Sequence, residues 1–297
     1  MVEVVFLGTG SAVPTVKRNH PGILLKYKTE SILFDCGEGI QRQFRIAKEN
    51  PCKLTRLFIT HWHGDHVLGI PGLFQTLALN GYDKTLEVYG PKGTKIYMSK
   101  ILSLFANVNK IKFNIKEVSS GKIIDSEDFF VESFMMEHNT HCLAYRFVEK
   151  DKLRIDKKKL EKLKVGHDPK LALIKKGKDI TINGKKIRAK DITYLEKGKK
   201  IGIVLDTREN KNIYKVAKDC DLFICESTFI NESDIAKKYF HLTAEQSAKI
   251  SKKSKVGKLA LMHLSQRYEK KENEVLNIAR GIFKNTELAR DFMRFEI

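Results

Sequence analysis

Short runs rich in β-branched and aromatic residues recur along the chain, separated by glycine, proline or polar positions. EVVFLG, GILLKYK, SILFDCG and RLFITH read as four successive strands near the start. In EGIQRQFRIAKEN the period changes. Ile40, Phe44 and Ala47 fall near helical spacing and are expected to face a core. VLGIPGLFQTLALNG is expected to form a helix interrupted at Pro71 and ended near Asn80-Gly81. LEVYGP, KFNIKEV and FFVESFMMEH continue the strand pattern, with a helix through TKIYMSKILSLFAN. KIGIVLDT, DLFICEST and KLALMHLS then alternate with helical patterns over 210–218, 243–253 and 271–281. This alternation predicts an α/β fold. Strand-rich halves flanking residues 150–200 suggest a pseudo-duplicated sandwich with outer helices, built as one large domain over 1–297.

The segment between those halves breaks the pattern. Lys150 to Lys200 holds 17 Lys and 2 Arg against 7 acidic residues, so it supplies +12 of the chain's formal +19. Phe and Trp are absent there, and Tyr194 is its only tyrosine. A stretch of this composition is expected to bury little apolar area and to project from the core rather than build it. The net charge favours a polyanionic partner, because neutralising phosphates releases their counterions. Heat adaptation also enriches lysine, so charge by itself leaves two readings open.

Composition narrows the class further. Hydrophobic residues make up 42% of 297, enough for a sizeable core, and no apolar run reaches membrane-spanning length. The start, MVEVVFLGTGS, reads as a first strand rather than a signal peptide, so a soluble cytoplasmic protein is expected. Cys36, Cys52, Cys142, Cys220 and Cys225 are odd in number and never form a CxxC pair. They fit reduced, small buried residues rather than a disulfide framework or a thiolate zinc site.

The stretch FITHWHGDHVLGI concentrates candidate chemistry. His61 and His63 stand two apart at the end of a predicted strand, where extended backbone sends both side chains the same way. Asp65 and His66 follow where a helix begins, and Gly64 allows a turn toward a second position. His138, Asp206 and His263 each follow an apolar strand elsewhere. Imidazole and carboxylate suit zinc and similar divalent ions, so these residues are expected to converge on one edge of a sheet as a metal site. His20, His141 and His167 carry no such motif and read as ordinary surface or core residues. For Asp35, support of a ligand histidine and direct chemistry both remain open.

This pattern resembles the metallo-β-lactamase superfamily, whose HxHxDH signature is matched by His61, His63, Asp65 and His66. FLGTGSAVPTVKRN, ILFDCGEGIQRQ, LDTR, CESTF, HLTAEQSA and HLSQRY follow in the order seen in ribonuclease Z, the tRNA 3′-processing endonuclease. The resemblance implies an αββα sandwich of two mixed β-sheets with outer helices and a projecting arm. It implies two zinc ions per subunit, with manganese as an alternative: His61, His63 and His138 on one, Asp65, His66 and His263 on the other, Asp206 bridging. Asp65 would also accept a proton from the attacking water. A Glu226–His241 pair would protonate the leaving oxygen, and Arg267 is expected to meet a phosphate or else form a structural ion pair. The implied partner is precursor tRNA, met by a homodimer.

The basic segment, residues 151–192, is similar to the arm with which that family grips tRNA away from the scissile bond. Lys175 and Lys176 are the expected RNA contacts. His167-Asp168-Pro169 stands where the family carries Gly-Pro, and an Asn-Gly turn follows DITI. Competing readings are an unstructured lysine-rich insertion and, for the whole chain, a small-molecule hydrolase such as a lactonase, thioesterase or cyclic phosphodiesterase. A nucleic-acid-binding module with structural zinc is a third possibility, disfavoured by the lack of closing thiolates.

Overall fold

The computed structural model describes residues 1–105, 110–163, 165–166, 168–182 and 184–297. They separate into two compact units, one formed by 1–125, 131–147 and 200–297, the other by 126–130 and 148–199.

Two seven-stranded sheets organise the first unit. The first runs, in spatial order, Arg294–Glu296, Val2–Gly8, Gly22–Tyr27, Glu30–Phe34, Arg56–Phe58, Thr85–Gly90 and Lys112–Glu117. Its pairings are antiparallel up to Glu30–Phe34 and parallel beyond it. The second runs Thr286–Leu288, Lys258–Met262, Leu222–Glu226, Lys200–Val204, Cys142–Glu149, Phe129–Met136 and Gly121–Asp125, parallel over its first four strands. The parallel strands LFICE and KLALM are almost wholly buried, which explains why they read as continuous apolar runs: both faces are covered.

Aromatic rings join the two sheets. Tyr145 lies 4.9 Å from Phe58 and 5.7 Å from Phe34, and Tyr27 lies 5.4 Å from Phe147, all measured between centroids. Offset and edge contacts of this kind add to the burial of large rings. Helices Ile40–Ile46, Ile70–Leu79 and Thr94–Ser103 cover the outer face of the first sheet through Phe44, Leu73, Phe74 and Met98. Lys211–Ala217, Ala244–Lys253 and Glu272–Ile282 cover the second through Ile213, Ala248 and Val275. The order helix, sheet, sheet, helix is the αββα sandwich expected of the chain.

Three local expectations need correction. Pro71 does not interrupt a helix. It sits in the first turn of Ile70–Leu79, where its missing N–H has no partner to lose, and a separate short helix, Gly64–Val67, precedes it. His61 does not end a strand, because the ladder stops at Phe58 and the chain continues as a loop. Residues 150–200 are not without a core. Ile174, Ile180, Ile182, Ile187, Ala189 and Ile192 pack together, with Ile155, Leu160 and Leu171 against them. Lysines interleaved with these isoleucines occupy the outward positions, so a strongly basic composition coexists with a small apolar centre. Ile180 pairs with Ile187 and Ile182 with Lys185, forming a tight hairpin with Gly184 at φ +74°. Asn183 of that turn, and His167 of the HDP stretch, lie outside the described residues.

Candidate metal centre and its surroundings

Every cluster residue leaves the sandwich at or just beyond the carboxyl end of a strand. Parallel sheets gather their functional groups there. Phe58 precedes the loop to His61 and His63, Met136 precedes His138, Val204 precedes Asp206, and Met262 precedes His263. Ligating atoms of His61, His63, His138 and Asp206 lie within 4.8 Å of one another, as do those of Asp65, His66 and His263. Asp206 faces both groups: Oδ2 is 3.6 Å from His61 Nε2, while Oδ1 is 3.5 Å from His66 Nε2 and 3.1 Å from His263 Nε2. All seven residues named from sequence therefore converge.

These donors fit a divalent cation. His61 Nε2, His66 Nε2, His263 Nε2 and Asp206 Oδ1 are buried and have no hydrogen-bond partner. A buried polar atom left unpaired costs about 1–3 kcal/mol, so four in one cluster mark a place built for something else to bind. The remaining imidazole nitrogens are held from behind. His66 Nδ1 donates to Asp35 Oδ2 at 2.6 Å, and His138 Nδ1 donates to the Phe240 carbonyl at 3.2 Å. Thr60 Oγ1 donates to Asp35 Oδ2 at 2.7 Å and so must accept from His61 Nδ1 at 3.0 Å. Each bond keeps a proton on Nδ1, so the nitrogen offered to a cation in the cluster is Nε2. Asp35 thus acts through His66 and Thr60, and has no place among the converging ligand atoms.

Backbone strain concentrates in the same place. Asp35, Asp206, Phe240 and His263 adopt left-handed φ of +57°, +26°, +59° and +58°, although none is glycine. Such conformations cost on the order of 1–3 kcal/mol each and persist where surrounding structure over-determines them. At Gly69 a Cβ would overlap the Gly37 carbonyl, so only glycine lets the loop after His66 approach the Asp35 loop this closely.

Charge is tightly coupled across the cluster. Burial pushes the Asp65 carboxyl up, but His66 and His263 outweigh it and hold it far below the ordinary carboxylate range. Burial pushes His66 down, and Asp65, Asp206 and Asp35 outweigh that, so its pKa lies well above the usual imidazole value. Burial likewise keeps His61, His63 and His138 low, in the neutral form that ligation needs. The five cysteines are free, and burial pushes the thiols of Cys36, Cys142 and Cys225 up, away from a thiolate role.

Beside the cluster stands the Glu226–His241 pair. His241 Nδ1 lies 3.1 Å from Glu226 Oε2, and a capping box of Thr243 and Gln246 fixes the helix start that follows His241. Burial lowers the His241 pKa, but the carboxylate of Glu226 outweighs it and raises the imidazole to about 9. It is therefore charged at neutral pH. Arg267 is exposed, its guanidinium 5.5 Å from the Phe229 ring centre, and lines a cavity of about 610 Å³ with His241, Thr228 and Tyr239. No ion pair engages it among the described residues. Lys175 and Lys176 are exposed in the second unit just after the helix Leu171–Ile174. His20 is buried with Nε2 3.3 Å from the Ala12 carbonyl, and His141 is exposed, neither among the converging ligands.

Sequence reasoning passed over Thr60, Thr207, Thr228 and Phe240. Their only signal was adjacency to the motifs, since a threonine beside a ligand is uninformative until its hydroxyl partner is known.

Comparison with known proteins places this geometry. A family profile described as "Anti-Pycsar protein Apyc1" matches residues 2–148. Ribonuclease Z of Methanothermobacter thermautotrophicus is 37% identical, over 100% of this chain and 97% of that one. Among solved structures, the short form of human tRNase Z superposes with a TM-score of 0.73 at 26% identity, covering 99% of each chain. The metallo-β-lactamase fold protein YhfI of Bacillus subtilis superposes at 0.72 with 16% identity, covering 100% of this chain and 99% of that one. With the fold, the cluster and the full-length likeness in agreement, the chain belongs to the ribonuclease Z family.

Proposed function

We propose that this protein is a metal-dependent endoribonuclease that removes the 3′ trailer of precursor tRNA after the discriminator base, leaving a tRNA 3′-hydroxyl and a trailer 5′-phosphate. One observation carries the reading: a cluster of buried donor atoms without hydrogen-bond partners stands beside His241, whose Nδ1 is held 3.1 Å from Glu226 Oε2. A small substrate with a good leaving group needs no such acid, whereas a ribose 3′-oxygen does.

The roles then divide among the side chains. His61, His63 and His138 would hold one zinc, Asp65, His66 and His263 a second, with Asp206 between them and manganese as an alternative occupant. Such ions would supply charge that makes a water acidic and offsets the negative phosphate. Asp65 accepts the proton of the attacking water. As the bond from phosphorus to the 3′-oxygen breaks, His241 gives its proton to that oxygen, and Glu226 stabilises the imidazolium beforehand. Arg267 binds a phosphate close to the cut.

The basic second unit is the RNA-gripping arm of this reading, with Lys175 and Lys176 on phosphates. Contacts of this unit to a folded RNA's backbone select shape, which the cluster alone cannot do. A homodimer acting in the cytoplasm completes the proposal. Exposed Ile96, Tyr97, Leu104 and Phe105 on one helix and its exit support a self-association surface.

Stripping the protein with a chelator should abolish cleavage of 3′-extended tRNA, and Zn²⁺ or Mn²⁺ should restore it. Full activity in verified metal-free protein would sink the reading.

A further inference from the structure

One hydroxyl lies among three groups of the site. Thr228 Oγ1 is 2.6 Å from Glu226 Oε2, 2.9 Å from His263 Nδ1 and 3.2 Å from His241 Nδ1. A hydroxyl has a single proton, so its direction is decided by whichever partner can only accept. Glu226 is that partner, and a separation of 2.6 Å is that of an O–H donor to a carboxylate oxygen. The proton of Thr228 therefore points at Glu226, and its lone pairs face the two imidazoles. His263 Nδ1 must then carry the hydrogen, which leaves its Nε2 bare. That nitrogen is one of the buried, unpartnered atoms, 3.1 Å from Asp206 Oδ1.

Glu226 is anchored on its other side as well. Its Oε1 accepts the Thr207 backbone N–H at 2.7 Å, which pins the loop carrying Asp206. The same carboxylate thus reaches three parts of the site: Asp206 through a backbone bond, His241 directly, and His263 through Thr228. The first two contacts survive without the threonine. The third does not, because no other hydrogen-bond partner of His263 Nδ1 is found among the described residues.

We propose that Thr228 is a positioning residue that relays the charge of Glu226 to His263, fixing the tautomer in which His263 can ligate a metal ion and tying the metal half of the site to the acid half. This rests on the reading of His263 as a metal ligand. The proposal separates two functions of Glu226: acid support of His241 is direct, and metal support of His263 passes through one hydroxyl.

The two β-substituents of valine match threonine in shape and remove only the hydroxyl, while serine keeps it. The test compares Thr228→Val with Thr228→Ser in the full-length protein. Metal affinity is read by competition of stripped protein with a chromophoric chelator for Zn²⁺, and kcat and KM are read on 3′-extended tRNA. Thr228→Val should weaken metal binding about 10–100-fold and lower kcat at full metal occupancy while KM stays near wild type. Thr228→Ser should recover both quantities to within about threefold. Unchanged metal affinity in Thr228→Val, or equal loss in the serine variant, would overturn the relay.

A second measurement does not depend on a variant folding. Long-range ¹H–¹⁵N spectra of the zinc-loaded wild type should show His263 protonated at Nδ1 and not at Nε2. The opposite tautomer would overturn the proposal even if both variants precipitate. Failure of the functional reading stays distinguishable: a wild type that cuts no tRNA but binds zinc, with Thr228→Val weakened, removes the substrate and keeps the relay.

Discussion

Asp35→Asn removes one charge from a fully buried support of the cluster and almost nothing else. In the native site the carboxylate accepts three bonds, from Thr60 N at 2.7 Å, Thr60 Oγ1 at 2.7 Å and His66 Nδ1 at 2.6 Å. An amide of the same shape offers one oxygen and one NH₂. Whichever way it turns, the NH₂ confronts a donor, either the Thr60 N–H or the pair of His66 and the Thr60 hydroxyl. A buried donor without an acceptor costs about 1–3 kcal/mol, and bonds to a charged group are worth more than neutral ones. If His66 shifts its proton to Nε2 to escape, that nitrogen can no longer ligate. Metal affinity should fall about 10–100-fold, the usual range for removing such a support, which at about 1.4 kcal/mol per tenfold matches the loss of one charged bond. Competition of the stripped variant against a chromophoric chelator measures it, with urea unfolding of the metal-free protein as the control. Affinity within about twofold of wild type would refute the claim that Asp35 sets the His66 tautomer.

Four further outcomes are expected. His241→Ala should lower kcat on 3′-extended tRNA about 10²–10⁴-fold yet barely affect bis(p-nitrophenyl) phosphate, whose leaving group needs no proton; equal losses would remove the acid role. In the wild type, kcat on tRNA should fall as pH rises through the pKa of His241, since only the protonated acid is useful. That limb should lie at or below about pH 9, because cations in the neighbouring cluster can only lower the value of the free site. Metal uptake should weaken as pH falls and should release protons into unbuffered solution, since His66 is held protonated by three carboxylates until a cation replaces its proton; calorimetry in buffers of different ionisation enthalpy counts them. Deleting residues 155–190 should impair tRNA cleavage and spare the small phosphodiester, and equal loss on both would remove the arm from substrate recognition.

The sandwich was legible because its central parallel strands are covered on both faces and therefore read as apolar runs, as in LFICE and KLALM. The ligands were legible because few roles other than metal binding bring imidazole and carboxylate together at HxHxDH spacing. What stayed hidden depends on direction rather than identity. Nothing in the letters around Thr60 or Thr228 says which neighbour takes the hydroxyl proton, and that proton decides the tautomer of His61 and His263. Phe240 gave no warning of a left-handed backbone, since phenylalanine is an unfavourable choice there, and nothing in its letter says that its carbonyl accepts from His138. The lysine-rich segment misled through averaging. Its composition spoke for solvent, while six small and β-branched residues at the right positions were enough for a local core. Pro71 was read as a breaker because a helix start and a helix break use the same residue.

On the proposed reading this chain cuts one phosphodiester beside the acceptor stem of a folded tRNA. Incubating the zinc-loaded protein with a 3′-extended tRNA and mapping both product ends tests it most directly. The expected products are a tRNA ending in a 3′-hydroxyl at the discriminator base and a trailer beginning with a 5′-phosphate. A 3′-phosphate on the tRNA, or no cut near the acceptor stem, would rule that activity out.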